Sequence, residues 1–575
     1  MVNSVTWKIG GEAGFGIMAS GTMLAKTFSR LGYHILVTNE YPSLIRGGHN
    51  VVTIRIATEK FASLDHNLHI LVALNQETID LHKNELSRGS VIIFDPHDGK
   101  PQESDFKEKS SKLLSIPLTD LVTKHRGDPV MRNTVALGAT LALLGADFAK
   151  LSQVITDQFG RKGQEVVGHN LAIAQEGYDY VKHNFAEFNS FYLDKPGKMV
   201  RQLIVNGSEA VGLGAVRAGL KFAAIYPMTP INALITFLAD HAKDFGIIYK
   251  QPEDEIAGIN MALGASVAGA RSMVATSGGG FALMVEGLAL SGMIEAPLVV
   301  DMGMRVGPAT GMPTYTEQGE LQFMIRAGHG EFPRIILAPG DAEEAYQLTF
   351  EAFNLADKYQ IPVIMLTDKY LNESQWCVPE SVFTDQVEID RGKLITREPP
   401  GEFKRYRLDV PDGVSDRTLP GLPNGLFFAN SYEHDETGQL ATKGDQRKAM
   451  ADKRLRKFKA IEKAGKAPAV LGLDDSEITF VSWGSTKGII LEAIKLLAQK
   501  GKKARLIHFS WLYPFPREAQ KILSSDSRLI LVEQNATGQL GQLVREATGI
   551  EIREKLLKYD GQPFFPEEIV KKVTQ

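Results

Sequence analysis

Cysteine is nearly absent from this sequence, since Cys377 is the single example among 575 residues. One thiol cannot form an internal disulfide, and it cannot supply the set of thiolates that holds an iron–sulfur cluster. If the protein transfers electrons, another chain must therefore carry the cluster. Cys377 follows Trp376 and is expected to be a small buried hydrophobe rather than a nucleophile.

Long apolar runs and an excess of charge are also missing. The sequence has no uninterrupted stretch of about 18 apolar residues, and its start, MVNSVTWKIGG, lacks the basic-then-apolar order of a secretion signal. The formal net charge of -4 gives no whole-chain electrostatic reason to bind nucleic acid. We therefore expect a cytoplasmic protein, with neither a membrane nor a nucleic acid among its partners.

The length exceeds what one hydrophobic core usually serves, so several domains are expected. Residues 1–186 are predicted to form a first α/β domain, in which a strand leads through the glycine-rich turn GGEAGFG into an apolar helix from about Ile17. Its predicted strands are 5–9, 51–56, 70–74 and 90–94. Residues 187–200 contain Pro196 and Gly197, interrupt the periodicity and are predicted to be a linker.

Helical and strand-like runs alternate with short joints from residue 201, which favours a parallel sheet between helices over residues 201–374. Residues 375–470 are predicted to be a charged connecting segment that ends in a basic helix at 443–466. A solvated face is the first interpretation of that helix, and docking of an acidic partner is the second. Residues 471–575 complete the predicted multidomain α/β fold with a last α/β domain.

Four segments directly follow predicted strands of the 201–374 sheet: YPMTP at 226–230, QPEDE at 251–255, TSGGG at 276–280 and MRVGPATGMPT at 304–314. Ligands bind at the carboxyl ends of such strands, so we expect these segments to share one edge. Thr229 and Pro230 also suit the N-cap and first position of a helix, which is the simpler explanation of that pair. The same turn would leave a hydroxyl and free amides at the ligand edge.

Glu255 is the predicted catalytic residue. It opens a helix, EIAGINMALGASVAGA, so small and apolar that neighbours must cover most of its sides. A carboxyl group there would be partly desolvated and could share or donate a proton. Such a group suits a thiamine cofactor, because a carboxyl on the pyrimidine nitrogen helps to ionise the thiazolium carbon. Glu253 and Asp254 are predicted only to complement the positive helix end.

Arg305 is a candidate substrate ligand, since a guanidinium in this loop could clamp the carboxylate of an oxoacid. A surface arginine fits its sequence position equally well. Thr314 is the first choice among nearby hydroxyls that could shape a pocket. Ser277 and Gly278 open a glycine run through which backbone could approach a ligand, although such a run can equally be a flexible turn.

The first domain carries weaker signals. The turn GGEAGFG lacks the usual dinucleotide spacing, and it could bind a phosphate or merely connect a strand to a helix. Arg46, beside two glycines, could reach an anion, while a solvated loop is the alternative. In EHDE at 433–436, neighbouring side chains cannot all face one ion, so no metal site is predicted in this chain.

Taken together, the motifs resemble the fused gamma and alpha subunit of the 2-oxoacid:ferredoxin oxidoreductases, nearly from end to end. YPMTP is similar to that family's YPITP motif. The stretch from EDEIAGIN to ATSGGG is similar to the family's cofactor segment, and MRVGPATGMPT is similar to its RxGPSTGxPT loop. Residues 5–185 resemble the gamma domain, and ITFVSWGSTKG and LVEQNATGQL resemble the transketolase-like C-terminal domain. Two positions depart from the family pattern. A triple glycine stands at 278–280 where Gly-Pro-Gly is common in the family, and Ile231 stands where a small polar residue is frequent.

The resemblance implies roles for the site residues. Arg305 would bind the oxoacid carboxylate, with Thr229, Thr314 and Arg46 as further substrate-binding residues. Glu255 would contact the pyrimidine of thiamine diphosphate, and the other cofactor-binding residues would be Tyr226, Pro227, Thr229, Ser277 and Gly278. Magnesium and a [4Fe-4S] cluster would lie in a separate beta subunit, because this chain has no Gly-Asp-Gly motif for them and no cysteine set.

The implied reaction converts a 2-oxoacid and coenzyme A into an acyl-coenzyme A and carbon dioxide, and passes electrons to ferredoxin. The implied assembly is a dimer of heterodimers with the beta subunit. Overall resemblance favours 2-oxoglutarate as the substrate, and pyruvate and branched 2-oxoacids stay open. Two alternatives stay open at this point: a non-oxidative thiamine-dependent lyase or transferase, and a non-catalytic subunit whose site is vestigial.

Overall fold

The computed structural model describes residues 2–42, 47–197, 201–384, 387–525 and 528–575. Within them the chain forms 20 strands. The strands are β1 Ser4–Glu12, β2 His34–Glu40, β3 His49–Ala57, β4 Leu68–Ala73, β5 Leu86–Phe94, β6 Lys112–Ser115, β7 Gln202–Asn206, β8 Phe222–Ala224, β9 Ile248–Lys250, β10 Ser272–Thr276, β11 Leu298–Met304, β12 Ile335–Leu337, β13 Pro362–Asp368, β14 Gln375–Pro379, β15 Ala469–Gly472, β16 Ile478–Trp483, β17 Ala504–Phe509, β18 Trp511–Tyr513, β19 Leu529–Glu533 and β20 Glu554–Leu557.

The same residues form 20 α-helices. They are α1 Ile17–Arg30, α2 Gln76–His82, α3 Leu118–Lys124, α4 Arg132–Leu143, α5 Phe148–Phe159, α6 Gln164–Asn184, α7 Gly207–Arg217, α8 Asn232–Asp240, α9 Ala242–Phe245, α10 Glu255–Val267, α11 Gly278–Ile294, α12 Leu321–Arg326, α13 Ala342–Tyr359, α14 Lys369–Glu373, α15 Ser381–Thr384, α16 Gly444–Ala464, α17 Thr486–Gln499, α18 Glu518–Ser524, α19 Gln539–Thr548 and α20 Pro566–Thr574. Among these helices of the described ranges, none combines the length and the apolarity that a membrane span requires.

The chain divides into two compact units. Unit 1 comprises Met1–Val205, Ser374–Glu380 and Phe565–Glu568, and unit 2 comprises Asn206–Glu373, Ser381–Phe564 and Ile569–Gln575. Each unit therefore contains segments that are far apart in the sequence.

Unit 1 is built on an eight-stranded sheet with the order β6-β5-β4-β1-β3-β2-β14-β7. The predicted strand, glycine turn and helix are confirmed, because β1 runs into the turn and α1 begins at Ile17. Gly14 and Gly16 take φ angles of 100° and 71°, a region that side chains with a Cβ rarely enter. The other predicted strands of this domain correspond to β3, β4 and β5.

The strand β14 comes from the predicted connecting segment and pairs antiparallel with β2, where Trp376 lies opposite Leu36. Cys377 on this strand packs against the core of unit 1. Its sulfur lies 3.7 Å from the hydroxyl of Ser29, and burial raises the pKa of the Cys377 thiol. Cys377 is thus a partly buried side chain that packs on apolar neighbours, and its lack of reactivity stays a prediction.

Unit 2 contains a seven-stranded sheet with the order β18-β12-β13-β11-β10-β8-β9 and a five-stranded sheet with the order β15-β17-β16-β19-β20. The neighbours from β12 to β9 pair in parallel, as predicted for residues 201–374. Met302 of β11, Phe281 of α11 and Trp483 of β16 belong to one cluster of buried apolar side chains. One core therefore serves both sheets of unit 2.

The basic helix α16 does not present all its charges to solvent. Lys453 and Lys457 are 0% and 1% exposed and place their ammonium groups 2.5 and 2.6 Å from the carboxylate of Glu295. Arg454 donates two hydrogen bonds, of 2.9 and 2.7 Å, to Glu433. The first interpretation of a solvated face is thus wrong for this side of α16, because the buried Glu295 and the partly buried Glu433 bind its cations.

Candidate functional site

Four segments meet at one edge of the seven-stranded sheet. The strands β11, β10, β8 and β9 are successive parallel neighbours, and each predicted segment follows the carboxyl end of one of them. The prediction of a shared edge is therefore confirmed. Thr229, Glu255, Ser277 and Arg305 therefore all lie at this edge of the sheet. Ligands bind at the carboxyl ends of the strands in parallel α/β sheets.

Glu255 is the first residue of α10 and is 3% exposed. Its Oε1 atom is buried without a hydrogen-bond partner among the described residues. The preceding Asp254 caps α10, because its side chain accepts a hydrogen bond of 2.8 Å from the backbone N–H of Ala257. Asp254 thus has the structural role predicted for it, while the carboxyl of Glu255 is left for another partner.

The glycine run at the start of α11 is shaped around this carboxyl. A Cβ on Gly280 would collide with the hydroxyl of Thr276 and would lie 2.8 Å from the carboxyl carbon of Glu255. A Cβ on Gly279 would meet nothing within 4 Å. The close approach of the α10 and α11 ends therefore requires glycine at position 280 in particular.

Ser277 and Gly278 begin α11. Ser277 occupies the N-cap position and is 1% exposed, yet its hydroxyl makes no capping hydrogen bond. That hydroxyl is buried and unpartnered within the part of the chain that the structure describes. A buried unsatisfied polar group costs about 1 to 3 kcal/mol, so Ser277 and Glu255 are two neighbouring sites that a polar ligand would satisfy.

The YPMTP segment contacts residues of β10 and of the loop after β11. The hydroxyl of Thr276 lies 3.9 Å from the sulfur of Met228. Arg305 donates a hydrogen bond of 2.8 Å from Nη1 to the backbone carbonyl of Thr229. Tyr226 and Thr229 are partly buried in this segment, whereas Pro227 is exposed.

Thr229 and Pro230 do not start a helix, which corrects the simpler explanation of that pair. The helix α8 begins at Asn232 with Ile231 as its N-cap, and the short helix α9 follows it. The hydroxyl of Thr229 accepts a hydrogen bond of 3.4 Å from the side-chain amide of Asn232. The Thr229 carbonyl is held by Arg305, so the turn is shaped by tertiary contacts rather than by local capping.

The loop after Arg305 folds back on itself. The backbone N–H of Val306 donates to the carbonyl of Tyr315 at 3.3 Å, and the N–H of Met312 donates to the carbonyl of Val306 at 3.1 Å. Thr314 is partly buried and adjoins Tyr315, so the fold brings it back toward Arg305. Thr316 is 4% exposed, and its hydroxyl accepts from the N–H of Tyr370, which is a structural contact.

Glu317 and Glu320 are site residues that the sequence interpretation missed. Burial raises the pKa of Glu320 to about 8, Glu317 adds to that rise, and Arg305 opposes it. Burial also lowers the pKa of Arg305, and the charge of Glu320 partly offsets this. The available signal was the pair of acids in TEQGE, directly after the loop that carries Arg305.

Other candidate residues stand apart from this edge. In EHDE at 433–436, Glu433 binds Arg454 and Arg447, and Glu436 lies 2.9 Å from Lys404. In the ranges that the structure describes, no group of three or more His, Cys, Asp or Glu side chains is arranged to hold a metal ion. Arg46 lies outside the described residues.

The donors at the edge fit the aminopyrimidine of a thiamine cofactor. A pyrimidine offers ring nitrogens and an amino group, which match one free carboxyl oxygen and one free hydroxyl. The glycines at the start of α11 place no side chain beside these two groups. Tyr226, Pro227 and Thr229 border the same edge, so Glu255, Ser277 and Gly278 are the residues best placed to hold the ring.

Three family models match successive parts of the chain. Residues 6–180 match the pyruvate ferredoxin/flavodoxin oxidoreductase model, and residues 213–452 match the thiamine-diphosphate-binding model of the pyruvate flavodoxin/ferredoxin oxidoreductases. Residues 467–556 match the transketolase C-terminal domain. Fold, site and these matches place the protein in the thiamine-diphosphate-binding class.

Similar proteins identify the family of this chain within that class. The alpha subunit of 2-oxoacid:ferredoxin oxidoreductase 2 from Aeropyrum pernix is 33% identical, over 98% of this chain and 96% of its own length. The 2-oxoglutarate synthase subunit KorA of Archaeoglobus fulgidus is 32% identical, over 64% of this chain and 97% of its own. The chain belongs to the family of 2-oxoacid:ferredoxin oxidoreductase alpha subunits.

A solved structure is similar to this chain over its whole length. The 2-oxoglutarate:ferredoxin oxidoreductase from Magnetococcus marinus, with 2-oxoglutarate, coenzyme A and succinyl-CoA bound, has a TM-score of 0.92 with this chain at 32% identity. The match covers 100% of this chain and 99% of that one. The resemblance drawn from the motifs is therefore confirmed for the entire fold.

Proposed function

We propose that this chain is the alpha subunit of a cytoplasmic 2-oxoglutarate:ferredoxin oxidoreductase. In the reaction, 2-oxoglutarate loses its C1 carboxylate as carbon dioxide, and its C2 becomes the carbonyl carbon of a thioester with the sulfur of coenzyme A. The thiol proton is released, and two electrons pass one at a time to ferredoxin. The observation that carries the proposal is the buried, unpartnered carboxyl of Glu255 beside the glycine start of α11.

Glu255 would hold the pyrimidine nitrogen and exchange a proton with it. Thiamine diphosphate, when bound, supplies the nucleophilic carbon that decarboxylation of a 2-oxoacid needs. Ser277 and Gly278 would border the ring at the start of α11, and Tyr226, Pro227 and Thr229 would border it from the YPMTP segment. The burial of Glu255 supports this role, because proton sharing is strongest where water is excluded.

Arg305 would bind the C1 carboxylate of the substrate. Its Nη1 already donates to the carbonyl of Thr229, which orients the guanidinium. The other donors of the fork have no hydrogen-bond partner among the described residues and would serve a carboxylate. Thr229 and Thr314 would border the same pocket. Arg46 is proposed as a further contact on the basis of the motif alone.

A separate beta subunit would complete the enzyme. The single cysteine of this chain cannot hold a [4Fe-4S] cluster, so the cluster and the magnesium diphosphate site are proposed to lie in that partner. Ferredoxin would accept electrons from it, and two such heterodimers would form the assembly. The choice of 2-oxoglutarate is supported by the substrate bound in the Magnetococcus marinus enzyme and by the KorA relatives.

The deciding experiment measures ferredoxin or dye reduction with 2-oxoglutarate, coenzyme A and thiamine diphosphate. The chain alone is compared with the chain co-produced with a cluster-bearing beta subunit. We expect activity and succinyl-CoA only in the pair. Activity of the chain alone would contradict the shared site, and release of succinic semialdehyde without dye reduction would establish the non-oxidative alternative. A pair that contains cluster and cofactor and turns over pyruvate instead would correct the substrate.

A further inference from the structure

The substrate loop, residues 305–314, leads directly into a short segment that is bonded to the five-stranded sheet. We call this segment, residues 315–319, the strap. The loop is closed at its base, because the N–H of Val306 donates a hydrogen bond of 3.3 Å to the carbonyl of Tyr315. Tyr315 in turn packs on Gly561, since a Cβ on that glycine would lie 3.0 Å from the Cβ of Tyr315. The position of the substrate loop therefore depends on what holds the strap.

Gln318 holds the strap with its backbone and its side chain, and it is 0% exposed. Its backbone N–H donates a hydrogen bond of 2.7 Å to the carbonyl of Gln534, and its carbonyl accepts one of 3.0 Å from the side-chain amide of Asn535. In the side chain, Nε2 donates to the carbonyl of Trp483 at 2.9 Å, and Oε1 accepts from the N–H of Gln534 at 3.0 Å. One buried residue thus joins the substrate loop to two segments of the five-stranded sheet.

These contacts lie at the carboxyl ends of two neighbouring strands. The strand β16 ends at Trp483 and pairs in parallel with β19, which ends one residue before Gln534. A side chain needs both a donor and an acceptor to satisfy the carbonyl of one segment and the N–H of the other, and an amide has both. Gly484 follows β16 with a φ of 60°, and a Cβ there would lie 2.8 Å from Nε2 of Gln318. The end of β16 is therefore shaped to admit this amide.

We propose that Gln318 is a positioning residue for the 2-oxoacid, which acts through the substrate loop on Arg305. By fixing the strap to the ends of β16 and β19, it keeps the loop in the arrangement in which Arg305 donates to the carbonyl of Thr229 and can bind a carboxylate. The inference rests on the proposed function, since it requires that Arg305 binds the substrate. It also gives the C-terminal α/β domain a part in substrate binding.

Loss of the side-chain bonds of Gln318 should change the affinity for substrate more than the turnover. Without them, the loop is in its binding arrangement for only a fraction of the time, and the apparent affinity falls by that fraction. A bound substrate restores the arrangement, so the complex reacts at nearly the full rate. We therefore expect KM for the 2-oxoacid to rise at least about tenfold, while kcat stays within about threefold.

The test is steady-state dye reduction by the assembled enzyme, with its beta subunit and cofactors, over a range of 2-oxoglutarate concentrations. The main variant is Gln318→Met, which keeps the length of the side chain and removes both of its hydrogen bonds. Gly484→Ala disturbs the same amide from the side of β16 and should raise KM in the same way, so either variant decides the question if the other does not fold. In the double variant KM should be no higher than in Gln318→Met, because the amide that the alanine displaces is already gone.

Leu512→Ala is the matched control. Leu512 is 0% exposed in the core that both sheets of unit 2 share, and its strand β18 is separated from β11 by β12 and β13. The cavity should lower the melting temperature and leave KM unchanged. An unchanged KM in Gln318→Met, or an equal rise of KM in Leu512→Ala, would overturn the inference and leave the proposed function intact. An unmodified pair that oxidises no 2-oxoacid would overturn both.

Discussion

At the scale of single residues, the proposed chemistry of the site depends on Glu255. Its carboxyl is buried at the mouth of α10 with one oxygen unpartnered, whereas Glu253, two residues earlier, is exposed. We predict that Glu255→Gln lowers the turnover of the assembled enzyme at least about 100-fold, because an amide cannot exchange the proton. Glu253→Gln, made in the same way, should keep the full rate.

Steady-state dye reduction and the melting temperature of both variants are the measurements for Glu255. The unfolding of Glu255→Gln should stay close to that of the unmodified protein, since the side-chain volume is unchanged. Retention of more than half the rate with a full complement of cofactor would show that Glu255 is not catalytic and would favour a vestigial site.

Gly280 is the second position where a single added carbon atom should change the stability of the protein. Gly280→Ala would push a methyl group into Thr276 and the Glu255 carboxyl, and we predict a loss of about 1 to 3 kcal/mol of stability. Gly279→Ala has open space around its methyl group and should be neutral or stabilising by about 1 kcal/mol or less. Urea unfolding midpoints of the two variants provide the comparison, and equal midpoints would show that the two helix ends separate easily.

At the scale of elements, buried ion pairs with Glu295 hold α16 in place. Burial alone would raise the pKa of Glu295, but the charges of Lys453, Lys457 and Arg405 outweigh it and hold that pKa well below its usual range. The carboxylate is thus ionised and depends on its cations. Arg405 also donates a hydrogen bond of 2.8 Å to the Glu295 backbone carbonyl, which ties the preceding loop to the same point.

We predict that Lys453→Met destabilises unit 2 by about 3 to 5 kcal/mol, because it removes one partner from a buried ion cluster and leaves charge uncompensated. Lys448→Met is the control on the same helix, since Lys448 is 78% exposed and, among the described residues, pairs only with Asp452 one turn away. Its effect should be within about 0.5 kcal/mol. Denaturant unfolding followed by far-UV circular dichroism measures both, and a mild effect of Lys453→Met would mean that Lys457 and Arg405 suffice.

At the scale of the whole molecule, unit 1 needs a strand from the middle of the chain. The pairing of β14 with β2 places Gln375 opposite Val37 and Trp376 opposite Leu36, and Val37 and Leu36 are 2% and 1% exposed. A fragment of residues 1–200 would lack both β14 and β7. Its sheet would then end at β2 with an unpaired and apolar edge.

We therefore predict that the fragment of residues 1–200 self-associates, while the same fragment with residues 374–380 appended through a flexible linker stays monomeric. Size-exclusion chromatography with light scattering separates the two results. A monomeric 1–200 fragment that unfolds cooperatively would show that the first domain is complete without strands from beyond its predicted linker.

Local patterns were sufficient for several elements. The glycine turn before Ile17 and the apolar helix after Glu255 were predicted from their own residues, because backbone conformation and apolar periodicity are properties of neighbours in sequence. The shared edge of the site followed from the rule that parallel strands place their carboxyl ends together. The predictions that were wrong concern Thr229 as a helix cap and the exposed face of α16, and both were overridden by distant partners.

The sequence by itself determined the α/β class, the positions of the site segments and the fact that this chain alone cannot hold a cysteine-bound cluster, since each depends on residue type and local spacing. Only the tertiary structure decided that Arg305 holds the Thr229 carbonyl, that Glu295 draws two lysines of α16 inward and that Glu320 lies against Gly278. The physical reason is that burial and long-range charge arise from side chains that meet only after folding. The energy of a charged group depends on those neighbours far more than on its own place in the chain.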